Sequence, residues 1–353
     1  MSVPFILPAA NEATAPPERR GRARDGVRLL VTDRAARTHR DAAFRDIASF
    51  VRRGDLLVAN DSATIPAALV AHRGDGTPLA LHLSTRIADD LWIVEPRNAD
   101  HRRAEPREPV TAGERAALAE DGAVTFLAPV DASHPRLWYA GLKLPRPVDV
   151  FLARHGAPIR YRYVTDSFPL ADYQTIFARV PGSAEMPSAG RPFTERVLDD
   201  IRDVGASVAT ITLHTGVSSP ERHERPYREW YAVPAATAAA VNATHRRGGR
   251  VIAIGTTVVR ALESAAASTA ALIPGAAARG EAIAASGWTD LIVTLERGVA
   301  VVDGLLTGLH EPEASHLDLL RAFADEPLLE RAYDRALANG YLWHEFGDVH
   351  LLL

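Results

Sequence analysis

Between Ala67 and Val150 the chain is written in short β-like pieces, ALVAHR, LALHLST, DLWIVEP, AVTFLAPV and RLWYAGL, separated by turn signals such as RGDGTP and EDGA. Several short strands at this spacing predict a small antiparallel sheet or barrel. The rest of the chain has another period. VRLLVTD (27–33) and GDLLVANDS (54–62) read as buried strands, the second emptying into a polar loop. After IRYRYV (159–164) helix and strand patterns alternate: TERVLDDIRDVG, SVATITLHTG, PAATAAAVNATHRRGG, then RVIAIGTTVVRALESAAA. Such alternation predicts an α/β domain with a mostly parallel sheet. The expected architecture is therefore a larger α/β domain, from residues 1–66 and 151–353, with a small β-barrel-like domain inserted over 67–150.

Composition narrows the chemistry. The 353 residues include no cysteine, which removes thiolate metal sites, disulfide scaffolds and a cysteine nucleophile. Lys143 is the single lysine among forty basic residues, so Schiff-base and P-loop lysines are also out. Against 44 acidic residues the formal net charge is −4, but it is unevenly spread. Arg19 to Arg53 holds eleven Arg against four Asp, and Glu311 to Asp348 holds nine acids against three Arg. A basic stretch could meet nucleic acid, while a solvated face with ordinary ion pairs is the commoner use of such a run. The apolar start precedes its basic stretch, the reverse of a secretory signal, and no run approaches the length of a membrane span. A soluble, cytoplasmic protein is expected.

Three turns carry candidate chemistry. In RVIAIGTTVVRALES a buried strand enters Gly255-Thr256-Thr257 and then a helix carrying Arg260. The first N–H groups of that helix, with the threonine hydroxyls, could hold a carboxylate or phosphate. PSAGRPFTERV is a second polar turn feeding a helix, with Thr194 as its cap. ITLHTG puts His214 at the carboxyl end of a strand, where ligands sit in α/β sheets and where an imidazole can act as acid or base. Each also has a plain structural reading as a capped helix start or a hydrogen-bonded histidine. The thirteen histidines include no HExxH, and His223, His310, His316, His344 and His350 lack zinc-ligand spacing, so no metal is expected.

Read in order, these segments resemble the S-adenosylmethionine:tRNA ribosyltransferase-isomerase family of queuosine biosynthesis. The likeness runs through VRLLVTDR, His39 and Phe44, RRGDLLVANDSATIPAAL, YQTIFARVPGSAEMPSAGRPFT, TLHTG, EWYAVP, RGGRVIAIGTTVVRALES, GWTDLIV, VVDGLLTGLH and FGDVHLLL. It fades in the inserted β region. The resemblance implies an α/β domain plus a small barrel, and S-adenosylmethionine as ribosyl donor to an aminomethyl-deazaguanine in tRNA. Adenine and methionine would be released and an epoxycyclopentanediol left on the base, with no metal required. Such chemistry needs a base beside the sulfonium, an acid for the departing adenine and a water-poor pocket. By resemblance, Ser188, Ala189, Gly190, Phe193, Thr194, Thr215, Gly216, Gly255, Thr256, Thr257 and Arg260 bind the donor. His214, Glu229, Asp290 and His310 are the catalytic candidates, with Asp303 nearby.

The departures are concentrated. Arg191-Pro192 replaces the family's Leu-His pair, and VSSPERHE shortens the segment after TLHTG. The run Glu224-Arg225-Pro226-Tyr227-Arg228-Glu229 keeps the final acid but loses two histidines, and Gly308-Leu309-His310-Glu311-Pro312 replaces Asn-Phe-His-Leu-Pro. Losing an imidazole that acts as acid or base costs about 10²–10⁴ in rate unless it is replaced. Beside the tRNA enzyme, two other readings therefore stand: a paralogue using the sulfonium chemistry on a small-molecule acceptor, and a non-catalytic nucleotide- or RNA-binding relative.

Overall fold

The computed structural model describes residues 5–99, 109–217, 227–266, 280–310 and 316–353. Its strands, in chain order, begin with β1 (Arg28–Asp33), β2 (Thr38–Ala43), β3 (Leu56–Asn60) and β4 (Ser62–Thr64). The next six are β5 (Ala68–His72), β6 (Pro78–Arg86), β7 (Leu91–Asn98), β8 (Arg115–Ala117), β9 (Ala123–Pro129) and β10 (Trp138–Lys143). Then come β11 (Val180–Ser183), β12 (Ser207–Leu213), β13 (Glu229–Val233), β14 (Val251–Ile254), β15 (Ala285–Thr289), β16 (Gly304–Gly308) and β17 (Val349–Leu352). The helices are α1 (Val148–His155), α2 (Glu195–Asp203), α3 (Ala235–Arg246), α4 (Thr256–Ser264), α5 (His316–Leu320) and α6 (Glu326–Ala338).

Nine strands form one sheet in the order β15-β13-β12-β3-β14-β16-β17-β1-β2. The middle run β12-β3-β14-β16 is parallel, as the alternating pattern predicts, and antiparallel pairings flank it. These central strands are buried on both faces, which is why they read as unbroken apolar runs. Leu56, Val58, Val251 and Ala253 face the core shared with α3, α4 and α6. Their neighbours Leu57, Ala59, Ile252 and Ile254 face a second core shared with α2 and the turn around Phe44 and Ile47. The parallel crossovers bring the carboxyl ends of four strands to one edge.

The short strands close into a six-stranded antiparallel barrel, β10-β7-β6-β5-β8-β9. Its apolar core takes in Phe151 and Leu152 of α1, and also Ala184 and Val217, which come from segments at the edge of the large sheet. Barrel and sheet edge therefore share packed residues.

Within the barrel, His82 and Glu95 are register partners on β6 and β7 and both are fully buried. Burial alone would raise the Glu95 pKa. The His82 hydrogen bond and the charges of Arg136 and Arg97 outweigh it, holding the carboxyl at about 2, below its usual 4.5. A depressed folded-state pKa stabilises above the unfolded value. Acidification from about pH 4.5 to 2 is therefore expected to remove about 3 kcal/mol, read as a falling urea midpoint that Glu95→Gln flattens. A midpoint independent of pH over that window would show the carboxylate to be unpaired.

Candidate active site

The carboxyl end of β12 delivers His214, that of β3 delivers Asp61 and Ser62, and that of β14 delivers the Gly255 turn. On the same edge lie Glu229 at the start of β13, Asp290 after β15 and His310 after β16, because β13 runs against β12 and β15 runs against β13. Topology alone thus gathers all four catalytic candidates on one rim, the place where open α/β sheets bind ligands. Strand spacing then separates them. Asp290 and His310 are five strand intervals apart, roughly 24 Å. His214 and Gly255 are two intervals apart, roughly 10 Å, within the span of one nucleoside-sized ligand.

His214 is tightly framed. Its Nδ1 lies 2.8 Å from Ser62 Oγ, which lies 2.6 Å from Ser183 Oγ, which accepts the Thr215 N–H at 3.0 Å. The ring stacks on Trp230 at 5.2 Å between centroids. On the other side a Cβ at Gly182 would sit 2.5 Å from ring atoms, so this glycine is a matter of room. Burial lowers the His214 pKa, with Asp61 acting in the opposite sense. The strand end itself is fixed by Asn60, whose amide bonds the Leu213 carbonyl at 2.7 Å and the Leu213 N–H at 3.0 Å.

Gly216 is equally confined. An added Cβ would overlap Tyr227 Oη and Ser84 Oγ, the latter from barrel strand β6. The Tyr227 hydroxyl and Ser84 Oγ are 2.6 Å apart, so the barrel is stitched to the loop that follows His214. Gly216 N–H donates to Glu229 Oε1 at 2.8 Å, and the other Glu229 oxygen pairs with Arg260 of α4. Arg260 also donates to the carbonyls of Leu291, Tyr227 and Thr289 at 3.1–3.3 Å. Both partners are buried. Glu229 and Arg260 thus form one buried clamp beneath the rim.

At the Gly255 turn φ is +99°, a conformation that favours glycine. A Cβ there would lie 3.4 Å from Thr257 Oγ1 and 3.7 Å from Ala189, so the Ser188–Gly190 turn abuts the N-terminus of α4. The remaining members of that stretch turn inward. Phe193 is fully buried against Phe44 and Phe177, and Thr194 caps α2 by accepting the Val197 N–H while donating to Asp25. Thr215 donates through its hydroxyl to the Glu185 carbonyl. Asp290 is exposed, and His310 bonds Thr307 Oγ1 at 2.8 Å.

The departures in sequence now have physical content. Arg191 is buried away from solvent, bonding the Asp172 carbonyl at 2.9 Å and Glu18 at 3.0 Å, with its guanidinium 5.1 Å from the Phe346 ring centre. It ties the N-terminal arm to the large domain. Glu224, Arg225 and Pro226, with His223, Glu311 and Pro312, lie outside the described residues. Within the basic stretch, Arg52 and Arg53 precede β3, at the end of the sheet opposite His214. Sequence reasoning missed Ser62 and Ser183, which open β4 and close β11 within the polar stretches ANDS and PGSAEM. Among the described residues no three His, Asp or Glu side chains are arranged to hold a metal ion, and no helix is long and apolar enough to cross a membrane.

Comparison with known proteins agrees with this picture. The model of the family described as queuosine biosynthesis protein matches residues 2–352. The S-adenosylmethionine:tRNA ribosyltransferase-isomerase of Geobacter metallireducens is 34% identical over 355 residues, covering 98% of this chain and 97% of its own. The protein of the same name from Caldanaerobacter subterraneus subsp. tengcongensis is 31% identical over 360 residues, covering 99% and 98%. Among solved structures, the S-adenosylmethionine tRNA ribosyltransferase of Thermotoga maritima is similar with a TM-score of 0.52 and 27% identity, covering 99% of both chains. By residues, topology and full-length similarity, this chain belongs to the queuosine biosynthesis protein family.

Proposed function

We propose that the protein is an S-adenosylmethionine:tRNA ribosyltransferase-isomerase acting in queuosine biosynthesis, with its site on the sheet edge around His214 and Gly255. The carrying observation is that similarity to enzymes of that name spans the whole chain while the two turns persist on one sheet edge, at the ends of two strands that both pair with β3. Bound S-adenosylmethionine supplies the ribosyl group and carries adenine and methionine as its leaving parts. The residues present suit it. Gly255, with no side chain and a positive φ, leads into the first N–H groups of α4 beside Ala189, and a helix N-terminus favours a carboxylate such as that of the methionine moiety. Thr256 and Thr257 add hydroxyls at that point. His214 is two strands away, near enough to meet the opposite part of the same ligand. The Glu229–Arg260 clamp sets the height of the Gly216 loop over it. Asp290 and His310 stand at the two ends of the rim, suited to contact with an acceptor larger than the donor. A tRNA acceptor places the reaction in the cytoplasm.

The test is product analysis. Incubation with S-adenosylmethionine and precursor tRNA is expected to release adenine and methionine, with the steep fall in tRNA affinity at rising salt that several phosphate contacts produce. Turnover with small metabolites and no salt slope would favour the small-molecule acceptor instead. No turnover with either would leave a binding protein. Thr256→Ala is expected to weaken donor binding roughly 2- to 10-fold, as a lost hydroxyl contact does, with kcat little changed. An unaltered donor Kd by calorimetry would remove this turn from the donor cradle.

A further inference from the structure

We infer that Ser62 and Ser183 are positioning residues that hold the His214 imidazole with its proton on Nε2, so that His214 meets the substrates as a hydrogen-bond donor. This rests on the reading that the rim is the reaction site, and it assigns a role that the residue types alone leave open.

The direction of the chain of hydrogen bonds follows from one fixed donor. The backbone N–H of Thr215 can only donate, and it donates to Ser183 Oγ. Both serines are fully buried. Among the described residues, Ser183 Oγ has just one other partner, Ser62 Oγ at 2.6 Å. If the Ser183 hydroxyl hydrogen does not go to Ser62, it has no acceptor in a place where water cannot serve, the costly outcome for a buried polar group. Ser183 therefore donates to Ser62. The Ser62 hydrogen is then left for its remaining neighbour, His214 Nδ1 at 2.8 Å. An Nδ1 that accepts carries no hydrogen, so the proton of the uncharged ring is on Nε2. The reverse order, with Nδ1–H donating to Ser62 and Ser62 to Ser183, strands the Ser183 hydrogen. Protonating both ring nitrogens strands it in the same way, in keeping with the burial that already disfavours the charged ring.

The other ring nitrogen is the one left for substrate. Nε2 has no protein partner among the described residues, while Trp230 and Gly182 hold the plane of the ring. A pre-aimed N–H beside a reacting purine or a developing negative charge stabilises it without reorganisation. The base that removes a proton beside the sulfonium must then be another group.

Nitrogen-15 NMR of the histidine-labelled enzyme without substrate tests this directly. The expected wild-type pattern for His214, assigned by its absence in His214→Gln, is a pyrrole-type Nε2 and a pyridine-type Nδ1. Ser62→Ala should give mixed tautomers and lower kcat about 10- to 100-fold, the usual cost of losing a group that orients a functional histidine, with KM for S-adenosylmethionine unchanged. A wild-type spectrum with the proton on Nδ1, or an unchanged spectrum in Ser62→Ala, overturns the inference. The wild-type spectrum decides even if the variant does not fold. Because it needs no turnover, a correct tautomer without adenine release would count against the proposed reaction and not against the relay.

Discussion

Arg260→Ala is expected to cost about 3–5 kcal/mol of stability, the typical result of leaving one member of a buried ion pair unpaired. The single guanidinium joins α4 to the start of β13 through Glu229 and to the end of β15 through the Thr289 and Leu291 carbonyls. Its loss leaves the Glu229 carboxylate and several carbonyls buried without their donor. Water cannot readily replace it, because both side chains are only about a tenth exposed (10% and 11%). Paired replacement by Glu229→Met with Arg260→Met removes both charges together and should recover a large part of the loss. Urea unfolding followed by tryptophan fluorescence would measure both, with Trp230 on β13 beside the clamp. A single-variant loss below about 1 kcal/mol would mean a solvated pair, which is the usual value at a surface. The double variant should still show impaired turnover, since Gly216 N–H loses the Glu229 oxygen that sets its loop.

The second large effect is catalytic. His214→Ala should reduce kcat for adenine release about 10²- to 10³-fold, the range for removing one aligned donor from a reaction centre, while donor affinity changes little. The expectation comes from its setting: ring plane fixed by Trp230, Nδ1 engaged by Ser62, Nε2 left for ligand. Single-turnover release of adenine from saturating S-adenosylmethionine separates this from a binding defect. An unchanged rate would take His214 out of the chemistry.

Much of the architecture is legible in local patterns. The short β-like pieces between 67 and 150 supply strands of the barrel, and the double-sided apolar runs of β3 and β14 announce a sheet covered on both faces. The Gly255 turn is legible too, because strand, glycine and helix cap are contiguous. Phe193 shows where local reading stops. PSAGRPFT reads as a polar turn feeding a helix capped by Thr194, and that cap forms, but the packing of Phe193 against Phe44 and Phe177 depends on partners outside the segment. Arg191, a departure in a sensitive position, is spent on tethering the N-terminal arm. Its neighbours in sequence give no hint of Glu18.

What the chain determined by itself is what depends on contiguous residues: the two textures, the strand-to-helix turns, the absence of thiol and the near-absence of amine chemistry, and the family likeness. What only the tertiary structure decided depends on partners far apart in sequence. Ser62 and Ser183 are separated by 121 positions and meet because β4 and β11 pair in parallel. Glu229 and Arg260, read separately as a catalytic candidate and a donor contact, pair with each other as a clamp. The physical reason is the same in each case: a hydrogen bond or ion pair takes its direction and strength from the group opposite, and burial removes the water that could stand in for it.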